Sequence, residues 1–208
     1  MSTRREETRE RILVAARTLL ATRGYNGAGV DDIARAAGIT RQAIYGHHFA
    51  SKTDLLLALI EHVDRVEHVA DLFIPAAQAR SGKEALQCLV EGVAQLWPRV
   101  YDIASVLDSA RLTDKHAEIA WQSRARVRRA GAEGVIRMLR AEGHLDPSWT
   151  VPAAADFALG VLSSTSYDFL VRQCGWTLKQ FAERCTKALF ATLIVQRARK
   201  PAKRARRK

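Results

Sequence analysis

Residues 30–52 read VDDIARAAGITRQAIYGHHFASK and predict two short helices joined by a tight turn. Ile33 and Ala37 have the spacing of apolar residues on one face of a first helix. Gly38 permits the left-handed backbone that ends a helix. Thr40 can cap the next helix, because its hydroxyl accepts a free backbone N–H. This pattern is typical of a helix-turn-helix, whose second helix enters the major groove of DNA.

The second helix of this motif carries side chains that suit contact with DNA. Arg41 and Gln42 can form paired hydrogen bonds with guanine and adenine edges, so we expect both to meet bases. The other predicted DNA-binding residues are expected to hold phosphates or to let the helices approach closely; they are Thr40, Ala43, Tyr45, His47 and Lys52. A helix, glycine, helix pattern also occurs in ordinary helical domains, so its context matters.

The surrounding sequence resembles the tetracycline-repressor (TetR) family of bacterial transcription regulators. The matching motifs follow the family's order: TRERIL at 8–13, Ala15–Ala16, Gly24–Tyr25, the stretch above, FASK at 49–52 and DLL at 54–56. A weaker similarity covers 167–171 and 175–177, before the last helix. The resemblance implies a homodimer that reads a palindromic operator, and a C-terminal domain that binds a small effector. Repression is the family's usual mode, and activation stays open.

Two positions depart from the family pattern. Gly29 stands where the family usually has Ser or Thr at the cap of the first motif helix, so a phosphate-binding hydroxyl is missing. Gly46-His47-His48 replaces a step that is usually one residue shorter. The sequence therefore leaves open how the recognition helix ends and which histidine faces phosphate.

The whole chain reads as an all-α protein of about nine helices in two domains. We expect a helix-turn-helix DNA-binding domain at 6–66, with the motif at about 29–48, an effector-binding and dimerisation domain at 67–196, and a basic disordered tail at 197–208. The predicted helices outside the motif are 7–22, 51 to about 71, 83–97, 101–111, 114–141, 150–175 and one capped by Thr177 and Gln180. In the dimer we expect close approach at Ala154, Ala155, Ala158 and Gly160, and an apolar stripe at Ala188 and Leu189.

The net charge of +11 is unevenly distributed. The tail 197–208 holds eight basic residues and no acidic one, whereas residues 56–196 hold equal numbers of each. The large domain is therefore no polyanion binder. The tail either adds nonspecific attraction to phosphates or only keeps the terminus soluble. A nonspecific, architectural DNA-binding protein driven by this tail is the competing function.

Several other classes of protein lack support in the sequence. Cys88, Cys174 and Cys185 have no zinc spacing, and three scattered cysteines suit a reducing cytoplasm. The N-terminus is not a signal peptide, and no apolar run reaches the length of a membrane span. The hydroxyl run 163–166 has no nucleophile elbow and no nearby base, so we expect no enzyme, no metal and no cofactor.

Aromatic side chains on the helices of the second domain are the candidates for an effector site. They are Trp97, Tyr101, Trp121, Phe157 and Tyr167, with Asp108, His116 and Ser163 as possible polar contacts. Aromatic residues at helical spacing most often belong to a core. A ligand pocket between the helices, apolar with a few polar groups, is the alternative that the family resemblance favours.

Overall fold

The structure, a computed structural model, describes residues 4–195. Its helices are α1 (Arg4–Gly27), α2 (Val30–Ala36), α3 (Arg41–His47), α4 (Lys52–Val66), α5 (Ile74–Ala77), α6 (Gly82–Ala110), α7 (Lys115–Ala141), α8 (Val151–Val161), α9 (Ser164–Tyr167) and α10 (Leu178–Leu193). A 3-10 turn, Val69–Phe73, runs into α5, and α9 continues as a π-helical turn, Asp168–Gln173. The prediction of an all-helical fold is confirmed. The predicted basic tail lies outside the described residues.

A small N-terminal domain packs α1, α2 and α3 around a shared apolar core. Ile12 and Leu20 of α1 are buried against Ile33 of α2. Of the seven residues of α3, all of which the structure describes, only Ile44 is buried. The orientation of α3 therefore depends on this one aliphatic side chain, on the partly buried Tyr45 and on the caps at its two ends.

The larger domain is built around α6, which contacts α1, α4, α7 and α10. Gly82 lets α6 start directly against α7, because a Cβ there would lie 2.5 Å from the Leu139 nitrogen. Phe181 of α10 is fully buried in the same core. Among the described helices, none combines the length and apolar character that crossing a membrane requires.

Two predicted helix ends are wrong. The fourth helix ends at Val66 and not near Asp71, because His68 adopts a left-handed conformation with φ of 51°. The sequence predicts that Pro98 kinks or breaks the helix after Trp97, but α6 continues through it from Gly82 to Ala110. A proline costs about 3 kcal/mol inside a helix. Helix α6 tolerates it because fourteen of its residues are buried among its neighbours.

The predicted helix 150–175 is interrupted after Leu162. In an unbroken helix the Leu162 carbonyl would accept a hydrogen bond from the Ser166 N–H. Here that carbonyl accepts from Trp97 Nε1 at 3.0 Å, and the Ser166 N–H donates to Ser163 Oγ at 3.1 Å. Ser163 therefore caps a new helix, α9.

The small residues expected at a dimer contact serve the chain's own core. Ala154, Ala155, Ala158 and Leu189 are buried within the chain, since α8 packs on α7 and α10 packs on α6. Of the expected set, Gly160 and Ala188 remain exposed. The prediction that the buried four form the contact between subunits is therefore wrong.

Two polar networks connect the N-terminal domain to the larger one. Arg17 of α1 pairs with Glu67 at 3.0 Å and with Asp102 of α6 at 3.2 Å. Thr53 of α4 donates to the Asp114 carboxylate at 2.5 Å, and its oxygen is 2.9 Å from the Tyr25 hydroxyl. Each network joins α1, the α4 region and the larger domain.

The Thr53–Asp114 bond predicts a pH-dependent stability. The hydrogen bond from Thr53, and then that from the Ala117 N–H, lower the pKa of Asp114 below its ordinary value of 3.8. We expect Asp114→Asn to cost about 1 kcal/mol of unfolding free energy at pH 7. Asn can still cap α7. Because the folded pKa is depressed, the charged bond stabilises the protein above about pH 4 and is lost as pH falls through the lower folded pKa.

Chemical denaturation between pH 7 and pH 2 would measure this difference. The gap between wild type and Asp114→Asn should shrink on acidification. A gap that stays constant across this range would show that the carboxylate charge has no part in the bond.

Candidate nucleic-acid interface

The turn and the start of the recognition helix have the predicted geometry. Gly38 has a φ of 68°, and Thr40 Oγ1 accepts the Ala43 N–H at 3.1 Å, so α3 begins at Arg41. Ile44 is fully buried on the opposite side of the helix. The exposed face of α3 therefore starts with Arg41 and Gln42.

Arg41 and Gln42 differ in how free their side chains are. The Arg41 guanidinium pairs with Asp31 of α2 at 2.9 Å and lies 5.6 Å from the centre of the Tyr45 ring. Within residues 4–195, the exposed Gln42 amide has no hydrogen-bond partner. Gln42 is thus ready to meet a base edge, whereas Arg41 must first leave Asp31.

This pairing predicts that Asp31→Asn strengthens DNA binding. The change releases Arg41, and an exposed ion pair of this kind contributes about 0.2–1 kcal/mol. We expect DNA affinity to rise by up to about fivefold, measured by fluorescence anisotropy at fixed salt. Asp32→Asn is the matched control. It removes the same charge from α2, but Asp32 pairs with Arg23 and Arg35 and not with Arg41. Equal gains from both substitutions would contradict a specific effect through Arg41.

Lys52 lies in the first turn of α4 and is half-buried. Its ammonium donates a hydrogen bond to the Tyr25 carbonyl and lies 4.6 Å from the centre of the Tyr25 ring. Burial lowers the pKa of Lys52. Its role toward phosphate stays a prediction, and a phosphate would have to compete with the Tyr25 carbonyl for this ammonium.

The segment Gly46-His47-His48 is held by two arginines of α1. Arg5 Nη2 donates to the His47 carbonyl at 2.7 Å, and Arg9 Nη1 donates to the His48 carbonyl at 2.9 Å. The Arg9 guanidinium also lies 4.4 Å from the centre of the buried Phe49 ring. The recognition helix thus ends at His47, and its last carbonyls are held by cations. No local sequence signal indicates this, because the partners are about forty residues apart.

The two histidines end up in different environments. His47 is exposed, whereas His48 is half-buried. Burial, followed by the charges of Arg5 and Arg9, lowers the pKa of His48. His47 is therefore the more exposed of the two histidines, and its contact with phosphate stays a prediction.

The predicted effector residues separate into distinct groups. Tyr167 is buried and its ring centre lies 6.3 Å from that of Trp97, 5.5 Å from that of Tyr101 and 6.2 Å from that of Phe181. Trp97 donates to a backbone carbonyl, as described above. Trp97 and Tyr167 therefore serve the core, and Tyr101 remains half-buried at its edge.

The remaining predicted effector residues lie elsewhere. Trp121 Nε1 donates to Asp108 Oδ1 at 2.5 Å, and the Arg111 guanidinium lies 4.2 Å from the centre of the Trp121 ring. Phe157 packs against Trp149, with ring centres 5.2 Å apart. Ser163 caps α9, and His116 is exposed in the first turn of α7. In the part of the chain that the structure describes, no group of three or more His, Cys, Asp or Glu side chains could hold a metal ion.

Comparisons with known proteins match this architecture. The family model described as bacterial regulatory proteins, tetR family, matches residues 12–59. The transcriptional repressor BepR of Brucella suis is 24% identical over 90% of this chain and 92% of its own. The transcriptional activator FasR of Mycolicibacterium smegmatis is 43% identical over 30% of this chain, which is 28% of that protein.

A solved structure supports the fold of the whole chain. It is a transcriptional regulator from Saccharomonospora viridis in complex with choline, which has a TM-score of 0.76 at 18% identity and covers 91% of this chain and 99% of its own. The helix-turn-helix lies inside the matched family segment, and both domains have the same fold as a regulator of this kind. The chain is therefore a DNA-binding transcriptional regulator, and its residues 12–59 match the tetR family of bacterial regulatory proteins.

Proposed function

We propose that this regulator represses transcription by binding a palindromic operator as a homodimer, and that a small molecule releases it. The observation that carries the DNA-binding part is the Thr40-capped helix α3, anchored by Ile44, with Arg41 and Gln42 on its exposed face. Arg41 and Gln42 read base edges. Thr40, Tyr45, His47 and Lys52 hold backbone phosphates, and Ala43 allows close approach.

This division of roles predicts different effects of Gln42→Ala and Lys52→Ala. The loss of a bidentate base contact should cost about 1–3 kcal/mol at the preferred site and relax specificity at one position. The loss of a phosphate contact should weaken binding to all sequences alike and reduce the salt slope by about one. A randomised operator library, titrated at several salt concentrations, would measure both. Identical patterns across the library would contradict the division.

A dimer is expected because each subunit has one recognition helix, which can read only one half-site of a palindrome. A palindrome repeats its half-site about 34 Å along the duplex, so two α3 helices must be related by a two-fold axis. We place the contact between subunits at α8 and α10, where Gly160 and Ala188 lie on the exposed surfaces. Sedimentation at micromolar concentration tests this, and a persistent monomer would contradict it.

The effector part of the proposal rests on the half-buried residues of the larger domain. Tyr101, Asp108, Trp121 and Phe157 are half-buried in separate contacts, and an apolar or aromatic molecule would bind near one of these groups. The S. viridis regulator, with the same fold, binds choline. The other predicted effector-binding residues are Trp97, Tyr167 and Ser163. We propose that they would border the effector on the side of the core.

An effector must act on the tilt of α4 to release DNA. Arg124 of α7 pairs with Asp64 of α4 at 2.5 Å, so a shift of α7 reaches the helix that leads into the DNA-binding domain. The ligand releases DNA only if it binds the misaligned state more tightly, typically with a coupling of about 1–3 kcal/mol. Operator DNA must then weaken ligand binding by the same factor, which calorimetry on free and operator-bound protein would measure.

The competing function is nonspecific DNA binding by the tail 197–208, which holds eight basic residues. Deletion of these residues separates the two functions. A sequence-specific regulator keeps its preferred site with a lower salt slope. A binder driven by the tail loses nearly all its affinity, and its full-length form shows no preference in the operator library.

A further inference from the structure

A surface concavity of about 470 Å³ lies between the start of α1 and the end of the recognition helix. Its lining residues are Arg4, Arg5, Thr8, Gly46, His47 and His48. We propose that this concavity binds a further backbone phosphate of the operator, so that α1 is part of the DNA-binding surface. The proposal rests on DNA recognition by α3.

The arginines in this concavity have donors to spare. Arg5 holds the His47 carbonyl through one nitrogen, and a guanidinium has five N–H donors in all. The exposed Arg4 guanidinium has no ion pair or hydrogen bond within residues 4–195. Two guanidinium groups at one concavity match the charge and the planar hydrogen bonding that a phosphate requires.

The rest of the lining is neutral or cationic. No carboxylate is among the six residues. Glu6 and Glu7 follow directly in the sequence, but helical spacing turns them about 100–150° away from the direction shared by Arg4, Arg5 and Thr8. An anion bound here would therefore meet no close repulsive partner.

The position of the concavity identifies the anion as part of DNA. It is lined by the last residues of α3, and a helix in the major groove is flanked on both sides by phosphates. The Arg5–His47 bond also links this contact to α3, because the same guanidinium that faces the phosphate holds the end of the recognition helix. The site would thus fix the depth and tilt of α3 without reading any base.

The test compares Arg4→Ala with Arg11→Ala in the full-length protein. Arg11 is exposed on almost the same face of α1, two turns or about 10 Å farther along the helix. We expect Arg4→Ala to reduce the salt slope by about one and the affinity by about eightfold at 0.1 M salt, equally for all operator sequences. Arg11→Ala should leave both nearly unchanged.

A second readout locates the phosphate. Single methylphosphonate substitutions along the operator remove one phosphate charge at a time. At the phosphate held in the concavity, the substitution should weaken the wild type more than it weakens Arg4→Ala, which keeps only the Arg5 contact, whereas at other positions the two effects should add.

Three outcomes would overturn the proposal: an unchanged slope for Arg4→Ala, an equal loss for Arg11→Ala, or additivity at every phosphate. These outcomes differ from failure of the proposed function. If the proposed function failed, the wild-type protein itself would show no preferred DNA sequence. Thermal unfolding checks that both variants remain folded.

Discussion

Replacing Ile44 by Ala is expected to abolish operator binding by removing the one fully buried side chain of α3. Ile44 is fully buried, and the cost of such a truncation is about 2–5 kcal/mol. Its carbonyl also accepts the N–H groups of His48 and Phe49, both at 3.0 Å. A shift of this residue would therefore disturb the end of the helix as well as its middle.

Hydrogen exchange and operator titration together would measure this effect. The amides of α3 should exchange faster in Ile44→Ala than in the wild type, while those of α7 should change little. Ile44→Val is the matched control, with an expected cost of about 0.5–1.5 kcal/mol and retained binding. Full operator affinity in Ile44→Ala would show that the caps alone hold the helix.

Replacing Phe181 by Ala is expected to destabilise the larger domain by about 3–5 kcal/mol. Phe181 is fully buried, and its ring meets Tyr167 edge-on with centres 6.2 Å apart. Tyr167 in turn packs on Trp97 and Tyr101, so the cavity left behind borders the aromatic core that joins α6, α9 and α10.

Chemical denaturation, followed by tryptophan fluorescence, would measure this loss. Leu112→Ala is the control, because Leu112 is 74% exposed and its truncation should change stability by less than about 0.5 kcal/mol. Similar losses in the two variants would contradict the assignment of Phe181 to the centre of the core.

The features that the sequence predicted best are those determined by neighbouring residues. The Gly38 turn and the Thr40 cap depend on backbone conformation and on a hydroxyl three residues from its partner, so they can be recognised in a short stretch. The same holds for the Thr177–Gln180 capping box.

The features that the sequence did not predict depend on contacts between distant residues. Arg5 and Arg9 hold the end of α3 across 42 and 39 positions, which no periodicity indicates. The break after Leu162 requires the indole of Trp97, 65 positions earlier. Local sequence predicts that Pro98 kinks or breaks a helix, and burial of α6 among its neighbours overrides the break.

The Arg41–Asp31 pair has a consequence for how the protein searches a chromosome. If Arg41 reads a guanine edge, as proposed above, DNA without guanine at that position does not repay the loss of its carboxylate partner at 2.9 Å, and the pair stays closed. The protein then holds wrong sequences by its phosphate contacts alone and leaves them quickly. Only a site with guanine in the right place opens the pair, and residence time, more than encounter rate, then distinguishes the operator from the rest of the genome.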